Sequence, residues 1–255
     1  MTGPIVIKVQ DYIATVVMNR PPVNAQNVEF RDAIIAAFDE ISDRDDIRVA
    51  ILTGAGRVFS AGADLKDRSG LENPGEYWRH SRRVREAFNA VAECAKPVIA
   101  AVNGPALGAG FVLMASCDIM IASETAVFAM PEIDVGLAGG AAMLRTLFGK
   151  SVARELFFTG KRVAASELYR LGVISDCVPQ DRLMTRAREI AAQIAAKSPI
   201  GVVASKHAFN TVDNMPGRDG YRFEQNITHQ LSKTDDAKEA KLAFLEKRTP
   251  VFHGR

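Results

Sequence analysis

Apolar and polar residues alternate on either side of Asp11, in IVIKVQ and IATVVMN, and this period of two predicts a pair of short strands joined by a turn at Asp11. Further on, Phe30, Ile34, Phe38 and Ile41 recur at steps of four, four and three. That spacing is one face of an amphipathic helix from about Asn27 to Arg44. RVAILTG then predicts a strand, AGRVFSAGADLKD a loop, and residues 76–95, charged along one side, a helix. Lys96-Pro97 ends that helix, because proline drives the preceding residue out of the helical region, and VIAAV follows as a buried strand. A helix from Gly108, the strands DIMIAS and VFAM, and Pro131-Glu132 continue the series. Alternating strands and helices predict a layered α/β domain with a largely parallel sheet.

From about Ser151 the strand signal nearly stops. Helices are expected at 151–159, 164–172, 181–197, 199–211, 217–231 and 235–246, with one weak strand between Val173 and Val178. The pattern divides the chain into a core, residues 1–198, and a helical C-terminal region, 199–255, that packs on the core or forms an oligomer interface. No long linker, low-complexity tract or repeat interrupts it.

Pro97 to Cys117, PVIAAVNGPALGAGFVLMASC, carries no charged side chain and is long enough to suggest a membrane span. Asn103, Gly104, Pro105, Gly108 and Gly110 break it too often for a lipid-facing helix, so it reads as a buried strand, a turn and a helix start. A turn of this kind aims backbone N–H groups at one dry point, where they suit an oxyanion formed during a reaction. In FSAGADLK the small residues Ser60, Ala61, Gly62 and Ala63 likewise let a ligand approach the backbone, before Asp64 and Lys66. A strand-to-helix turn capped by Asp64 explains that loop nearly as well. Two such turns after buried strands are moderate evidence for a site where donors converge.

Glu132 is the third candidate. Apolar residues flank it in FAMPEIDVGLAGG, and lost hydration is expected to raise its pKa toward the range useful for proton transfer. The alternative is that Glu132 or Asp134 caps the next helix.

Composition narrows the remaining classes. The 255 residues are 47% hydrophobic and 24% charged, with a net charge of +2 and both signs interleaved, which disfavours nucleic-acid and membrane-surface roles. Arg79, Arg82, Arg83 and Arg85 recur beside Glu76 and Glu86 as a solvated helix face. Cys94, Cys117 and Cys177 form neither a disulfide framework nor a metal motif. They fit a reducing cytoplasm, and the N-terminal stretch lacks the features of a targeting peptide. His80, His207, His229 and His253 lack paired ligand spacing, so no metal is expected. Gly54-Ala-Gly56 and Gly108-Ala-Gly110 lack the third glycine of a dinucleotide fingerprint, and no GxSxG elbow occurs.

The segments RPPVNA, FSAGADLK, KPVIAAVNGPALGAGFVLMASCDIMIAS, PEIDVG and the closing FLEKRTPVFHGR, in this order over nearly the whole chain, resemble the crotonase superfamily, also called the enoyl-CoA hydratase/isomerase family. The resemblance implies a crotonase-like α/β spiral of ββα turns with a C-terminal helical trimerisation region, assembled as a homo-trimer or a dimer of trimers. It also implies an acyl-CoA thioester as substrate, with no cofactor beyond the coenzyme A that the substrate carries. By position, the N–H groups of Ala63 and Ala109 match the two donors that hold the thioester oxygen as an enolate forms, and Glu132 matches an acid/base. Ala61, Ala63, Asp64, Leu65 and Lys66 match the segment along coenzyme A. Phe244 and Lys247 match the C-terminal pair that approaches its nucleotide, often from a neighbouring subunit, although a solvated lysine remains an alternative for Lys66 and Lys247.

The chain also departs from the family pattern. Val112 stands where hydratases carry their first, water-activating glutamate, the loop after Gly136 is about three residues shorter than usual, and Ala109 replaces a common glycine. A single carboxylate opposite an oxyanion hole suits double-bond isomerisation best. The alternatives are a hydratase with atypical water activation and a catalytically idle acyl-CoA-binding protein.

Overall fold

The computed structural model describes residues 3–67 and 73–255. Strands β1 (Ile5–Gln10) and β2 (Ile13–Met18) pair antiparallel, from Ile5 opposite Met18 to Gln10 opposite Ile13. Asp11 and Tyr12 join them with φ of 52° and 63°, the left-handed pair that matches the twist of a two-residue hairpin. Helix α1 (Val28–Asp43) opens where Asn27 accepts the Phe30 N–H at 2.9 Å, and it buries Phe30, Ile34, Phe38 and Ile41 as its spacing predicts. Strand β3 (Val49–Gly54) lies parallel to β2. Helix α2 (Pro74–Ala92) starts two residues earlier than expected, because Asn73 and Glu76 form a reciprocal capping box ahead of Pro74.

Strands β4 (Val98–Val102) and β5 (Ala106–Leu107) lead to α3 (Ala109–Ala115), then β6 (Ile119–Ser123) and β7 (Val127–Ala129). Beyond them run α4 (Ala141–Leu147), α5 (Lys150–Thr159), β8 (Val163–Ala164), α6 (Ala165–Arg170), β9 (Asp176–Val178) and α7 (Leu183–Ala195). The chain closes with α8 (Pro199–Val212), α9 (Gly217–Leu231) and α10 (Asp235–Glu246).

The main sheet has the order β1-β2-β3-β4-β6-β9, parallel throughout except for the β1–β2 hairpin. Its middle strands are buried on both faces, which is why they read as unbroken apolar runs. Ala50 and Leu52 join the core beneath α1, while Val49 and Ile51 pack with Leu183, Ala187 and Ala191 of α7 on the other side. A second sheet, β5-β7-β8, was not expected. Two-residue strands are too short to carry a period, and VFA, expected as a strand, belongs to this second sheet while IMIAS belongs to the first.

The first C-terminal helix, α8, packs on the core. Lys206 of α8, buried, donates to Asp118 Oδ2 at 2.8 Å and to the Lys96 carbonyl at 3.1 Å, and Asn210 donates to the Ala92 carbonyl at 2.9 Å. Among the described residues no helix is long and apolar enough to cross a membrane.

Candidate active site

The loop after β3 threads between two other stretches of backbone. On one side Ser60 N–H donates to the Pro105 carbonyl (3.2 Å) and Leu107 N–H to the Ser60 carbonyl (3.0 Å). On the other, Ala61 N–H donates to Val23, Gln26 N–H to the Gly62 carbonyl (2.8 Å) and Asp64 N–H to the Gln26 carbonyl (3.2 Å). Because Gly62 and Asp64 both bond to Gln26, strand-like alternation turns the Ala63 N–H the opposite way, and it has no acceptor among the described residues.

Helix α3 supplies the second amide. Its first internal bond runs from Val112 N–H to the Gly108 carbonyl at 3.0 Å, and Gly108 offers no side-chain cap, so the Ala109 N–H has no acceptor among the described residues. The two amides lie close together because Gly62, at φ +91°, lets the strands approach. A Cβ there would sit 2.6 Å from the Leu107 carbonyl oxygen and 3.2 Å from Ala109 N.

Glu132 belongs to a 3₁₀ turn, Pro131–Val135, that follows β7. Gly108 N–H donates to the Ala129 carbonyl at 2.9 Å, which docks the start of α3 beside that turn. The Glu132 carboxylate rests against Gly108, where an added Cβ would come within 2.5 Å of Oε1, and its Oε2 is buried. Neither acid caps α4, whose N-cap is Gly140, and Asp134 instead lies beside Gly160 at the end of α5.

Val112, one turn along α3, lines a small hollow of about 10 Å³ whose walls include Phe111, Met130, Gly140, Met143 and Leu144. Among the described residues every one that lines this hollow is apolar, so the position of Val112 supplies no second acid.

The other expected positions divide. Asp64 is engaged as an anchor: Oδ2 accepts from Arg20 at 2.8 Å and Oδ1 from Lys66 N–H at 3.1 Å, which opens the short turn Leu65–Asp67. The capping role foreseen for it is therefore present. Ala61 gives its N–H to Val23, while Leu65 and Lys66 are exposed beside the loop. Phe244 is 83% exposed and Lys247 ends α10 at φ +54°. Among the described residues, the polar contacts of α10 run to Ser198 and to the chain end, not to the loop or α3. Neither Phe244 nor Lys247 has a polar contact with the loop or with α3 among the described residues.

The pattern of the sequence did not single out the polar frame that holds this loop. Buried Asn24 donates to the carbonyls of Ala55, Val58 and Phe59 at 3.1, 2.8 and 3.2 Å, and Ser60 Oγ donates to the Asn24 carbonyl at 2.8 Å. Buried Arg31 pairs with Asp67 at 2.9 Å. A signal was available: Arg31 lies three residues before Ile34 and seven before Phe38, a cation on the apolar face of α1.

Residues 8–255 match the family model described as enoyl-CoA hydratase/isomerase. A probable mitochondrial enoyl-CoA hydratase of Dictyostelium discoideum is 37% identical over 247 residues, 95% of this chain and 88% of that protein. A (7aS)-7a-methyl-1,5-dioxo-2,3,5,6,7,7a-hexahydro-1H-indene-carboxyl-CoA hydrolase of Rhodococcus jostii is 36% identical over 247 residues, 95% and 94% of the two chains. Among solved structures, an enoyl-CoA hydratase of Bacillus anthracis superposes with a TM-score of 0.94 at 33% identity, covering 99% of this chain and all of that one. Likeness of this extent, in sequence and in fold, means that the chain belongs to the enoyl-CoA hydratase/isomerase family.

Proposed function

We propose that this enzyme moves a double bond in an enoyl-CoA thioester, with Glu132 as the acid/base and the N–H groups of Ala63 and Ala109 as the oxyanion donors. In this reading the thioester carbonyl oxygen receives two hydrogen bonds. The Glu132 carboxylate takes a proton from the α-carbon of a 3-enoyl thioester, and the electron pair left behind spreads onto the thioester oxygen as a dienolate. Glu132 then returns the proton to the γ-carbon, the double bond settles between the α- and β-carbons, and the carboxylate is regenerated. Two preorganised amides in a water-poor site contribute several kcal/mol to such a step, on the order of 2.7–4 for each donor.

The observation that carries isomerisation over hydration is the apolar wall at Val112. Hydration needs a group that orients water at the β-carbon, and Val112 and the described residues that line the hollow around it are all apolar. A hydratase in which water is held by Glu132 alone is the second reading, favoured by the 37% identity to a protein named as a probable hydratase. A product assay by liquid chromatography and mass spectrometry on 2-enoyl- and 3-enoyl-CoA thioesters separates the two. Migration of the double bond without gain of water, reduced about 100-fold or more in Glu132→Gln, is the expected result. Robust hydration of 2-enoyl-CoA would overturn the isomerase reading.

We also propose that residues 199–255 serve oligomerisation, as a homo-trimer or a dimer of trimers, with Phe244 and Lys247 meeting coenzyme A bound to a neighbouring copy. Support comes from large apolar side chains left open on these helices: Phe209 is 72%, Tyr221 63% and Leu245 77% exposed. Light scattering at a monomer mass would refute it. All three cysteines are free, in keeping with the proposed cytoplasmic location.

A further inference from the structure

One side chain reaches both sources of the candidate oxyanion donors. Gln26, only 2% exposed, brackets Ala63 with its backbone, its N–H on the Gly62 carbonyl and its carbonyl receiving Asp64 N–H. Its side-chain Nε2 donates to the Ala109 carbonyl at 3.1 Å and to Ser60 Oγ at 3.3 Å. A backbone carbonyl can only accept, so this contact fixes which way the Gln26 amide faces. The frame around Gln26 is closed as well. Its carbonyl also accepts from the buried Arg31 guanidinium, which holds Asp67 just beyond the loop. Ser60 Oγ accepts from Gly62 N–H at 3.3 Å and donates to Asn24.

We propose that Gln26 is a positioning residue that sets the Ala63 and Ala109 N–H groups at the spacing one oxyanion requires; this rests on the oxyanion reading above. Two bonds to a single oxygen tolerate displacements of only about 0.5 Å, and the two amides come from segments far apart in the sequence. Gln26 fixes one amide through its main chain and the other through its side chain. A shift of either segment is thereby resisted through one buried residue. Leucine or methionine at this position keeps the volume but cannot donate, which leaves the start of α3 held to the loop by fewer bonds. Gln26 itself touches no reacting atom.

The test compares Gln26→Leu and Gln26→Met with the wild-type protein, using two variants so that a failure of one to fold leaves the other. Butanoyl-CoA, which is saturated at the reacting carbons, serves as probe, and isotope-edited infrared spectroscopy reads the stretch of its thioester carbonyl when bound. Wild type is expected to lower that frequency relative to free butanoyl-CoA, and both variants to bind the probe with a visibly smaller shift. Turnover should show kcat reduced about 10- to 100-fold with KM within about twofold. An undiminished carbonyl shift with unchanged kcat would overturn the proposal, and so would parallel losses in kcat, probe affinity and melting temperature, which denote general loosening. If wild-type protein binds butanoyl-CoA with no shift at all, the oxyanion reading itself fails and the proposal falls with it.

Discussion

At the scale of single residues, the site depends on positions where a side chain is excluded as much as on those that supply one. Gly108 has φ +52°, and a Cβ there would lie 2.5 Å from Glu132 Oε1. Gly108→Ala therefore meets backbone strain of about 1–3 kcal/mol and displaces the carboxylate. We expect kcat to fall at least about 10-fold and the melting temperature to drop, and kinetics with a thermal melt will check both. Cys117 illustrates the opposite case, a reactive group made inert. Burial, reinforced by the charge of Asp118, pushes its thiol well above the ordinary 9.0, so almost no thiolate exists at pH 8. Iodoacetamide is expected to leave Cys117 unmodified in the native protein and to alkylate it in denaturant. Native labelling at the denatured rate, read by mass spectrometry, would refute this.

At the scale of elements, what the sequence disclosed and what it withheld have separate physical causes. Long elements with a face to bury announced themselves: α1, α8, α9 and α10 match their expected spans to within a residue or so, because the period of a helix and the caps at Asn27, Ser198 and Thr234 are local properties. Strands β5 and β8 and helix α4 did not, since their placement depends on partners distant in the chain. The site divided in the same way. Ala63 and Ala109, in small-residue loops, and Glu132, an acid in apolar surroundings, could be proposed from the sequence, the two alanines as donors only through the family resemblance. Asn24 and Gln26 could not, because polar residues between β2 and α1 look like an ordinary surface loop until the fold buries them, whereas Arg31 stood out only as a cation on the apolar face of α1. Asn24→Ala removes the donor for three loop carbonyls and places alanine at φ +52°, so a loss of about 1–3 kcal/mol is expected from urea unfolding. A change below about 0.5 kcal/mol would mean that the loop holds itself.

At the scale of the whole molecule, the chain end folds back onto α10. Glu239 accepts from Arg248 at 2.6 and 2.9 Å and from Val251 N–H at 2.9 Å, while Asp236 accepts from His253 N–H. The Arg248 hydrogen bond, then that of Val251, holds the Glu239 carboxyl down from the ordinary 4.5 to about 2. A depressed carboxyl stabilises the fold fully above its unfolded pKa. The contribution then fades as pH falls from about 4.5 toward 2. Protection of the Val251 amide, its exchange rate set against the intrinsic rate at the same pH, is expected to fall across that window and to be low already at pH 7 in Glu239→Gln. A flat profile would show that the segment is held by other means.

Both candidate donors are main-chain amides, and this separates what can drift in such a protein from what cannot. Substituting Ala63 or Ala109 by any residue except proline leaves an N–H in place, so among side-chain exchanges only proline deletes the device that would stabilise charge. Side chains around it, Val112 among them, can be exchanged one at a time without removing either amide. If the two amides hold an enolate as proposed, the means of holding it belongs to the backbone, and the fate of that enolate is open to change through side chains alone.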